Sequence, residues 1–382
     1  MKGKQARINS GLWIIMGKVK LGSLTAIKTG KLDANASSEN GKYPFFTCAV
    51  EPLRIDKYSY DCECVLVAGN GDLNVKYYEG KFDAYQRTYI IESLDKASLS
   101  VRYLYYFMES YVETLREQSI GGIIKYIKLG NLTDALIPLP DLHTQNEIVS
   151  RLKKAQSIIT HRKQQLEKLD ELVKARFVEM FGEVGTDPKG FGMSCLSSVC
   201  EINPKKTDDK RIRSGLEVSF VPMPAVSENG SIETTEIRTY DEVKTGFTYF
   251  SERDVLFAKI TPCMENGKGA VAVGLRNRIG FGSTEFHVLR PITDVSNPYW
   301  LYTITSFERF RREAARKMTG SAGQRRVPAR FLEQYEVAVP PIALQNQFEA
   351  FVSQIDKSKV AVQKALDKAQ LLFDSLMQEY FG

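Results

Sequence analysis

Residues 137–182 read IPLPDLHTQNEIVSRLKKAQSIITHRKQQLEKLDELVKARFVEMFG, and the pattern of this stretch returns without a gap at residues 337–382. Nine positions carry the same residue at the constant offset of 200, and they cluster towards the two ends of the stretch. In the first copy these identical residues are Pro140, Gln145, Asn146, Leu166, Lys168, Leu172, Glu179, Phe181 and Gly182. Self-similarity at a fixed offset indicates a duplicated structural unit. The sequence therefore predicts one unit used twice in tandem, an internal pseudo-two-fold repeat.

Apolar residues in both copies are spaced by alternating steps of four and three, which is the seam of a coiled coil. We predict that the two helices pair through Ile148, Leu152, Ile159, Leu166, Leu169 and Val173 in the first copy and Phe348, Val352, Ile355, Val362, Leu366 and Phe373 in the second. A helix over residues 145–182 is roughly 57 Å long at 1.5 Å per residue. Such a rod outreaches a globular segment with a radius of gyration of about 13 Å. We therefore expect the two helices to pair with each other, rather than each to pack only on its own segment. If the two copies are related by a pseudo-two-fold axis, the paired helices run antiparallel.

The ends of the predicted helices carry capping signals. Thr144 and Glu147 have the spacing of a capping box, whereas Leu344 takes the cap position in the second copy. Gly182 and Gly382 suit a left-handed C-cap. We expect the first helix to begin after Thr144 and both helices to end at a glycine.

The segments ahead of the two helices share an order of elements. Strand patterns lie at residues 64–68, 87–91 and 255–260, and helix patterns at residues 99–118 and 298–318. Asn297 is expected to cap the second of these helices. A glycine-containing loop with basic residues follows each helix, at residues 119–126 and 319–326. The predicted fold class is mixed α/β (α+β), with two similar globular domains and two long helices.

Composition restricts the class of protein. The 382 residues are 43% hydrophobic and 26% charged, which is typical of a soluble globular protein. Six cysteines form no regular framework, and three histidines leave little for metal chemistry. No run of 18 apolar residues is present, so we predict no membrane span and a cytoplasmic protein.

Positive charge is concentrated in one segment. Residues 305–330 hold eight basic and two acidic residues, an excess equal to the net charge of +6 of the whole chain. Such a segment is typical of a surface that binds a polyanion, although many charge runs are only solvated helix faces. Arg309, Arg311 and Arg312 are expected on one helix face that contacts phosphates or a partner subunit.

Motifs of catalysis are not found in a suitable context. Residues 267–272 fit a relaxed dinucleotide-binding pattern, but a strand-like run follows where a helix is needed. Residues 297–300, NPYW, are similar to a motif of amino-methyltransferases that has a further proline, and helix capping explains them better. Asp254 and Glu265 lack the lysine-bearing strand that completes a nuclease metal site. We predict no catalytic residue and no metal site.

Several motifs resemble those of the specificity subunit of type I restriction-modification systems. In the first half these are residues 43–46, YPFF, residues 68–71, AGNG, residues 78–88, YEGKFDAYQRT, and residues 124–127, IKYI. In the second half they are residues 257–268, FAKITPCMENGK, and residues 282–286, GSTEF. The resemblance covers residues 17–382, and Met16 is the expected start of the protein.

The resemblance implies a division of the chain and a set of partners. Target recognition domains would occupy residues 17–140 and 183–340, with a central spacer helix at residues 141–182 and a C-terminal one at residues 341–382. The paired helices would act as a ruler between two half-sites on double-stranded DNA. Two modification subunits and the restriction subunits would methylate adenine and cleave. S-adenosylmethionine, ATP and Mg would belong to those subunits, and this chain would hold no cofactor.

Candidate DNA-binding residues follow from charge, hydrogen-bonding groups and the resembling motifs. In the first half they are Lys28, Lys31, Asn70, Gln86, Arg87, Lys125 and Tyr126. In the second half they are Lys259, Thr261, Glu265, Asn266, Lys268, Gln324, Arg325 and Arg326. Some of these side chains, such as Asn70, are open to a second interpretation in which they only hold a turn or the core.

Two other functions stay open. A self-contained DNA methyltransferase would need a cofactor-binding motif, and tight binding of S-adenosylmethionine would support it. A coiled-coil scaffold without a nucleic-acid role predicts no retention on DNA and no dependence on salt. The target bases do not follow from the sequence, because base readout depends on side-chain geometry.

Overall fold

The computed structural model describes residues 17–321 and 323–382. The expected start at Met16 lies outside these residues. The chain divides into two compact units. Unit 1 contains the residues up to Lys163 together with Lys364–Gly382, and unit 2 contains Gln164–Gln363.

Unit 1 contains eight strands and two complete α-helices in its described part, and it shares both long helices of the chain with unit 2. The strands are β1 (Lys18–Lys20), β2 (Thr25–Thr29), β3 (Tyr43–Phe46), β4 (Leu53–Ile55), β5 (Tyr60–Ala68), β6 (Val75–Ala84), β7 (Thr88–Ser93) and β8 (Leu136–Pro138). The helices are α1 (Val101–Gln118), α2 (Leu129–Thr133) and the long α3 (Leu142–Phe181).

A six-stranded sheet in the order β2-β7-β5-β6-β3-β4 forms the centre of unit 1. The pair β3 and β6 is parallel, and the other neighbours are antiparallel. Successive side chains of a strand point to opposite faces. On β5, Val65 and Val67 belong to the core that includes α1, whereas Cys64 and Leu66 pack in a second cluster with Phe82. The apolar run of β5 therefore fills both faces of the sheet.

Unit 2 has more and shorter strands. The strands are β9 (Met193–Cys195), β10 (Cys200–Ile202), β11 (Glu217–Val221), β12 (Ile237–Thr239), β13 (Thr248–Ser251), β14 (Val255–Ala258), β15 (Gly269–Val271), β16 (Ile279–Gly282), β17 (Phe286–Pro291) and β18 (Glu336–Ala338). The helices are α4 (Leu196–Val199), α5 (Tyr240–Val243), α6 (Pro298–Ser306), α7 (Glu308–Lys317), α8 (Ala329–Gln334) and the long α9 (Ile342–Phe381).

Two four-stranded sheets, β10-β17-β14-β15 and β12-β11-β16-β13, form the centre of unit 2. The core of this unit joins Val255 and Phe257 of β14 to Trp300 and Leu301 of α6. Both units have one short extra pair of strands that includes the strand before a long helix, β1 with β8 and β9 with β18. No helix of the described residues is long and apolar enough to cross a membrane.

The two long helices pack together in both units, and they run antiparallel. In unit 1, Ile148 and Leu152 share a core with the end of α9, and Arg151 Nη1 donates to the Tyr380 hydroxyl at 3.3 Å. In unit 2, the ring of Phe348 lies 5.5 Å from that of Phe177 near the end of α3. The start of each helix therefore packs beside the end of the other, so the two helices run in opposite directions. The predicted antiparallel pairing of two long helices is confirmed.

Most of the proposed helix-pairing side chains are buried. The buried ones are Ile148, Leu152, Ile159, Phe348, Val352, Ile355, Val362 and Leu366. The half-buried ones are Leu166, Leu169, Val173 and Phe373. One polar contact accompanies the seam in unit 2, where Lys359 Nζ lies 2.5 Å from Asp170 Oδ1.

Two predictions about helix boundaries are wrong. The first long helix begins at Leu142, so Thr144 and Glu147 do not form the cap. Asp141 Oδ1 accepts the Thr144 N–H at 2.8 Å, because aspartate is an effective N-cap and directly follows a proline segment that cannot be helical. The helix predicted over residues 298–318 is broken into α6 and α7. Phe307 between them is extended, which places its ring 5.3 Å from Phe177.

Candidate nucleic-acid interface

In unit 1, a three-residue turn after β5 supports a loop that we call loop 1 (residues 119–127). The Gly71 N–H donates to the Lys125 carbonyl at 2.9 Å, and the Ile127 N–H donates to the Gly69 carbonyl at 2.9 Å. A Cβ at Gly69 would lie 2.4 Å from the Arg87 carbonyl, and Gly71 has a φ of +70°. Glycine is therefore required at both ends of this turn.

In unit 2, the residues after β14 support loop 2 (residues 319–327, of which 322 is not described) through the same bonds. The Thr261 N–H donates to the Arg325 carbonyl at 3.0 Å, and the Val327 N–H donates to the Lys259 carbonyl at 2.9 Å. The turn recurs at an offset of 190 from residues 69–71, and the loop recurs at an offset of 200. Both units therefore hold the loop by a corresponding pair of backbone hydrogen bonds and present different side chains.

Each loop is closed and anchored at its base. Ile120 and Tyr126 exchange backbone hydrogen bonds in loop 1, as Thr319 and Arg326 do in loop 2. A side chain from the neighbouring strand then holds the end of each loop. The Tyr89 hydroxyl of β7 donates to the Ile127 carbonyl at 3.3 Å.

The corresponding anchor of loop 2 is a histidine. His287 Nε2 of β17 lies 2.8 Å from the Val327 carbonyl, and Asn203 contacts the other ring nitrogen. A carbonyl only accepts, so Nε2 carries the proton. Burial lowers the pKa of His287, so the ring stays neutral near pH 7.

Four candidates of unit 1 are gathered at loop 1. Lys125 and Tyr126 belong to the loop, and Asn70 forms a backbone bridge with Tyr126. The Arg87 carbonyl accepts the Gly69 N–H at 2.8 Å, so the exposed Arg87 lies beside the same turn.

The other three candidates of unit 1 lie on neighbouring backbone or apart. Gln86 and Lys31 are exposed, and the Gln86 N–H donates to the Leu32 carbonyl at 2.9 Å. Lys28 is on β2, where its ammonium lies 2.6 Å from Glu92. The hydrogen bond that Lys28 donates to Glu92 raises the pKa of Lys28. Lys28 is thus engaged within the sheet and is the weakest candidate of the set.

In unit 2, the guanidinium of Arg326 is already engaged. Its Nη2 and Nε donate to both carboxylate oxygens of Glu285, at 2.7 and 2.9 Å. These hydrogen bonds lower the pKa of Glu285. Lys259 is half-buried beside the same pair, and burial lowers its pKa. Arg325, by contrast, has an exposed side chain, and its nearest acidic partner is Glu265 at 3.9 Å.

The turn after Thr261 places the remaining candidates next to loop 2. The Thr261 hydroxyl donates to Glu265 Oε1 at 2.9 Å, whereas Glu265 Oε2 is buried without a hydrogen-bond partner among the described residues. Asn266 is exposed and Lys268 is half-buried, as is Thr261 itself. Gln324 lies exposed in loop 2 beside Arg325.

The sequence predicted that Arg309, Arg311 and Arg312 share one helix face, and the structure separates Arg311 from the other two. An added Cβ at Gly267 would lie 2.1 Å from Arg311 Nη1, so Arg311 lies directly beside the Asn266 turn. Arg309 pairs with Glu313, and Arg312 pairs with Glu308. Arg309 and Arg312 are three residues apart and therefore lie on one side of α7, whereas Arg311 is two residues after Arg309, points away from that side and joins the candidate surface.

Sequence reasoning missed the isoleucines of loop 1. Ile123 is fully exposed and Ile124 is 61% exposed, whereas the matching positions of loop 2 are Gly323 and Gln324. Two adjacent β-branched residues are typical of a strand, so the sequence pattern did not indicate a loop tip at this position.

The repeated glutamine of the two copies joins each long helix to its globular segment. Gln145 and Gln345 are both 0% exposed. Gln145 Oε1 accepts the Ser100 N–H at 2.9 Å, and its Nε2 donates to the carbonyls of Ser98 and Pro140, both at 2.8 Å.

Gln345 makes the same three bonds in unit 2. Its Oε1 accepts the Asn297 N–H at 2.8 Å, and its Nε2 donates to the carbonyls of Val295 and Pro340 at 3.0 and 2.8 Å. Only a neutral amide both accepts and donates in this way. This geometry explains why glutamine stands at both positions of the repeat.

In the part of the chain that the structure describes, no group of three or more histidine, cysteine or acidic side chains could hold a metal ion. The six cysteines are all free thiols. Cys64 and Cys200 are buried, and burial raises the pKa of the Cys200 thiol to about 12.

Comparison with known proteins gives one family. A family model described as "Type I restriction modification DNA specificity domain" matches residues 16–170 and 188–371. The type I restriction enzyme EcoAI specificity subunit of Escherichia coli is 39% identical over 198 residues, 50% of this chain and 33% of that protein. The EcoDI specificity subunit of the same organism is 38% identical over 156 residues, 41% of this chain and 34% of that protein. Each alignment thus spans about a third of the length of the curated relative.

Two solved structures share the fold. The S subunit of a type I restriction-modification system from M. genitalium gives a TM-score of 0.59 at 15% identity, covering 100% of this chain and 99% of that one. A chain from a structure of type I R-M complex assembly and conformational transition gives 0.52 at 16% identity, covering 95% and 97%. At such identities the likeness concerns the fold alone, and it agrees with the mixed α/β architecture and paired helices.

Proposed function

Because this chain belongs to the type I restriction modification DNA specificity domain family, we propose that it is a DNA sequence-specificity subunit. It binds a bipartite asymmetric site on double-stranded DNA, with one half-site read by each unit. It supplies recognition and carries no catalytic centre of its own. The paired helices α3 and α9 serve as the ruler between the two half-sites.

The observation that carries this proposal is the loop arrangement found once in each unit. The same four backbone partners hold loop 1 and loop 2, while the side chains that the loops present differ at nearly every position. A duplicated catalytic site would keep its reactive residues in both copies. A duplicated frame with different side chains instead fits two readers of different base sequences.

Contacts to phosphates and to bases are assigned by chemistry and exposure. Exposed or half-exposed cations would hold phosphates, namely Lys31, Arg87, Lys125, Lys268 and Arg325. Amides and Glu265 suit base edges, because Asn and Gln pair with adenine and a carboxylate accepts from cytosine. The amide candidates are Asn70, Gln86, Asn266 and Gln324. A supporting role is left for Lys28, Lys259 and Arg326. These cations lie beside the acidic partners described above and would help to position the residues that contact DNA.

Catalysis belongs to partner subunits in this proposal. Two modification subunits carry adenine methylation with S-adenosylmethionine, and restriction subunits carry cleavage with ATP and Mg. The names of the curated relatives, each a specificity subunit of a type I restriction enzyme, support this division of roles.

Mapping methylated adenines in cells that carry this gene with its modification partner tests the proposal. We expect a new methylated sequence made of two specific parts and an unspecified gap. If no new methylated sequence appears and the purified pair does not bind DNA, the chain is a scaffold instead. Tight binding of S-adenosylmethionine by the isolated chain, with methylation of DNA by that chain alone, would point to a self-contained methyltransferase.

A further inference from the structure

The tip of loop 1 exposes an apolar cluster. Ile123 is fully exposed, Ile124 is 61% exposed and Ile120 is 43% exposed. Single apolar residues on a surface are ordinary, but three exposed isoleucines within five positions of one loop concentrate apolar surface there. A patch of this kind, placed on the candidate reading surface, indicates a contact that forms on binding.

The backbone around this patch is fixed. Gly121 has a φ of +118°, and a Cβ there would lie 2.5 Å from the Ile124 carbonyl, so only glycine fits. The bonds from Gly71 and Ile127 described above hold the base of the loop on the end of β5. Ile123 and Ile124 thus lie within the loop that the Ile120 and Tyr126 backbone pair closes.

The neighbours of the patch are cationic. Lys125 follows Ile124 directly, and the exposed Arg87 lies on the other side of the Gly69 turn. Lysine and arginine neutralise phosphates, so flanking cations favour a polyanionic partner such as DNA. An apolar tip between phosphate-binding cations fits a groove of DNA.

The chemistry of the grooves favours the major groove. The major groove of B-DNA admits a two-stranded ribbon, whereas the minor groove is about half as wide. The apolar group that bases present in the major groove is the C5 methyl of thymine. In loop 2 the matching positions are Gly323 and Gln324, so the apolar contact is particular to unit 1.

We propose that Ile123 and Ile124 contact the C5 methyl group of a thymine and make the first half-site selective for an A·T pair at that position. This inference rests on the proposed DNA-reading function, and it specifies one base, thymine, and the group on that base that the protein contacts. Selectivity here comes from contact with one methyl group and needs no hydrogen bond.

Deoxyuridine tests the contact, because dU pairs like thymine but lacks the methyl group. The full chain with its modification partner is titrated with duplexes that carry the mapped site, in which each thymine of the first half-site is replaced in turn by dU. We expect one replacement to weaken binding about fourfold, as for one buried methyl-sized group. The double variant Ile123→Ser, Ile124→Ser should bind the thymine duplex more weakly and bind the thymine and dU duplexes equally.

A matched control separates this contact from general effects. Leu94 is 64% exposed in the same unit, and Leu94→Ser should keep the full difference between thymine and dU. All three substituted positions are exposed, so the thermal unfolding temperature of each variant should match the parent.

The outcomes against the inference are distinct from failure of the function. Binding by the parent protein with no sensitivity to dU at any position overturns the isoleucine contact and leaves the DNA-reading function standing. A mapped first half-site without an A·T pair also overturns the isoleucine contact and leaves the DNA-reading function standing. Absence of any sequence-specific binding by the parent protein overturns both.

Discussion

Replacing Gln345 with leucine should cost unit 2 about 4 kcal/mol of unfolding free energy. The change removes three buried hydrogen bonds and leaves the Asn297 N–H and the carbonyls of Val295 and Pro340 without partners. Each buried polar group left unsatisfied costs about 1–3 kcal/mol. Leucine is similar in size, so a cavity adds little.

Tryptophan fluorescence offers an assay specific to unit 2. The chain has two tryptophans, Trp13 and Trp300, and Trp300 is 1% exposed on α6, three residues after Asn297. A Trp13→Phe background leaves Trp300 as the only signal. With an m-value of about 2 kcal/mol per molar urea, the expected loss lowers the urea midpoint by about 2 M.

Gln347 provides the matched control, because it is exposed on the same helix two residues later. Gln347→Leu should change the unfolding free energy by less than about 0.5 kcal/mol. A Gln345→Leu midpoint within 0.5 M of the parent, roughly 1 kcal/mol at this m-value, would refute the reasoning. It would mean that these polar groups find other partners, and that the glutamine does not fix the helix to its segment.

Three other measurements follow from the same contacts. Arg325→Ala should weaken DNA binding and reduce the slope of the logarithm of the DNA-binding constant against the logarithm of salt concentration by about one. Arg213 is also exposed, and Arg213→Ala should leave this slope unchanged. An unaltered slope for Arg325→Ala would exclude a phosphate contact at Arg325. The hydrogen bond from Arg253 lowers the pKa of Glu349, so the ionised carboxylate stabilises the folded state. The stability difference between the parent and Glu349→Gln should therefore be present at pH 7 and disappear as the pH falls below about 4.3. A stability difference that grows in acid would contradict this sign. Phe348→Ala should destabilise unit 2 by about 3–5 kcal/mol, because Phe348 is fully buried against Phe177. Lys359→Ala removes the ion pair with Asp170 and should cost no more than about 1 kcal/mol. Equal effects in urea titrations would mean that this ion pair, and not the apolar seam, joins the helices there.

The repeat and the paired helices could be predicted because both are encoded in local periodicity. The register of apolar residues indicates a seam for pairing, and the antiparallel direction follows from a pseudo-two-fold relation between the two copies. The break at Phe307 could not be predicted, because it depends on a ring contact with Phe177, which is 130 positions away in the sequence. The cap at Asp141 could have been found, since aspartate directly after proline is a stronger start signal than a threonine three residues later.

The candidate site was less accessible to sequence reasoning. Loop 1 and loop 2 align at the offset of the repeat, but their supporting turns align at an offset of 190, because the intervening segments differ in length. The engagement of Arg326 depends on Glu285, which is 41 positions earlier and carries no pattern that links the two. Gln145 and Gln345 were visible as identities, while their role depends on acceptors about 45 to 50 positions away.

The most direct test of two readers held by one ruler is the effect of the gap between the half-sites. The purified chain with its modification partner is titrated with the mapped duplex, with duplexes whose gap is one base pair longer or shorter, and with each half-site alone. One added base pair rotates one half-site by about 34° relative to the other, because B-DNA has about 10.5 base pairs per turn. We predict that only the native gap with both halves gives tight specific binding. Full affinity for a single half-site, or equal affinity at all three gaps, would contradict it.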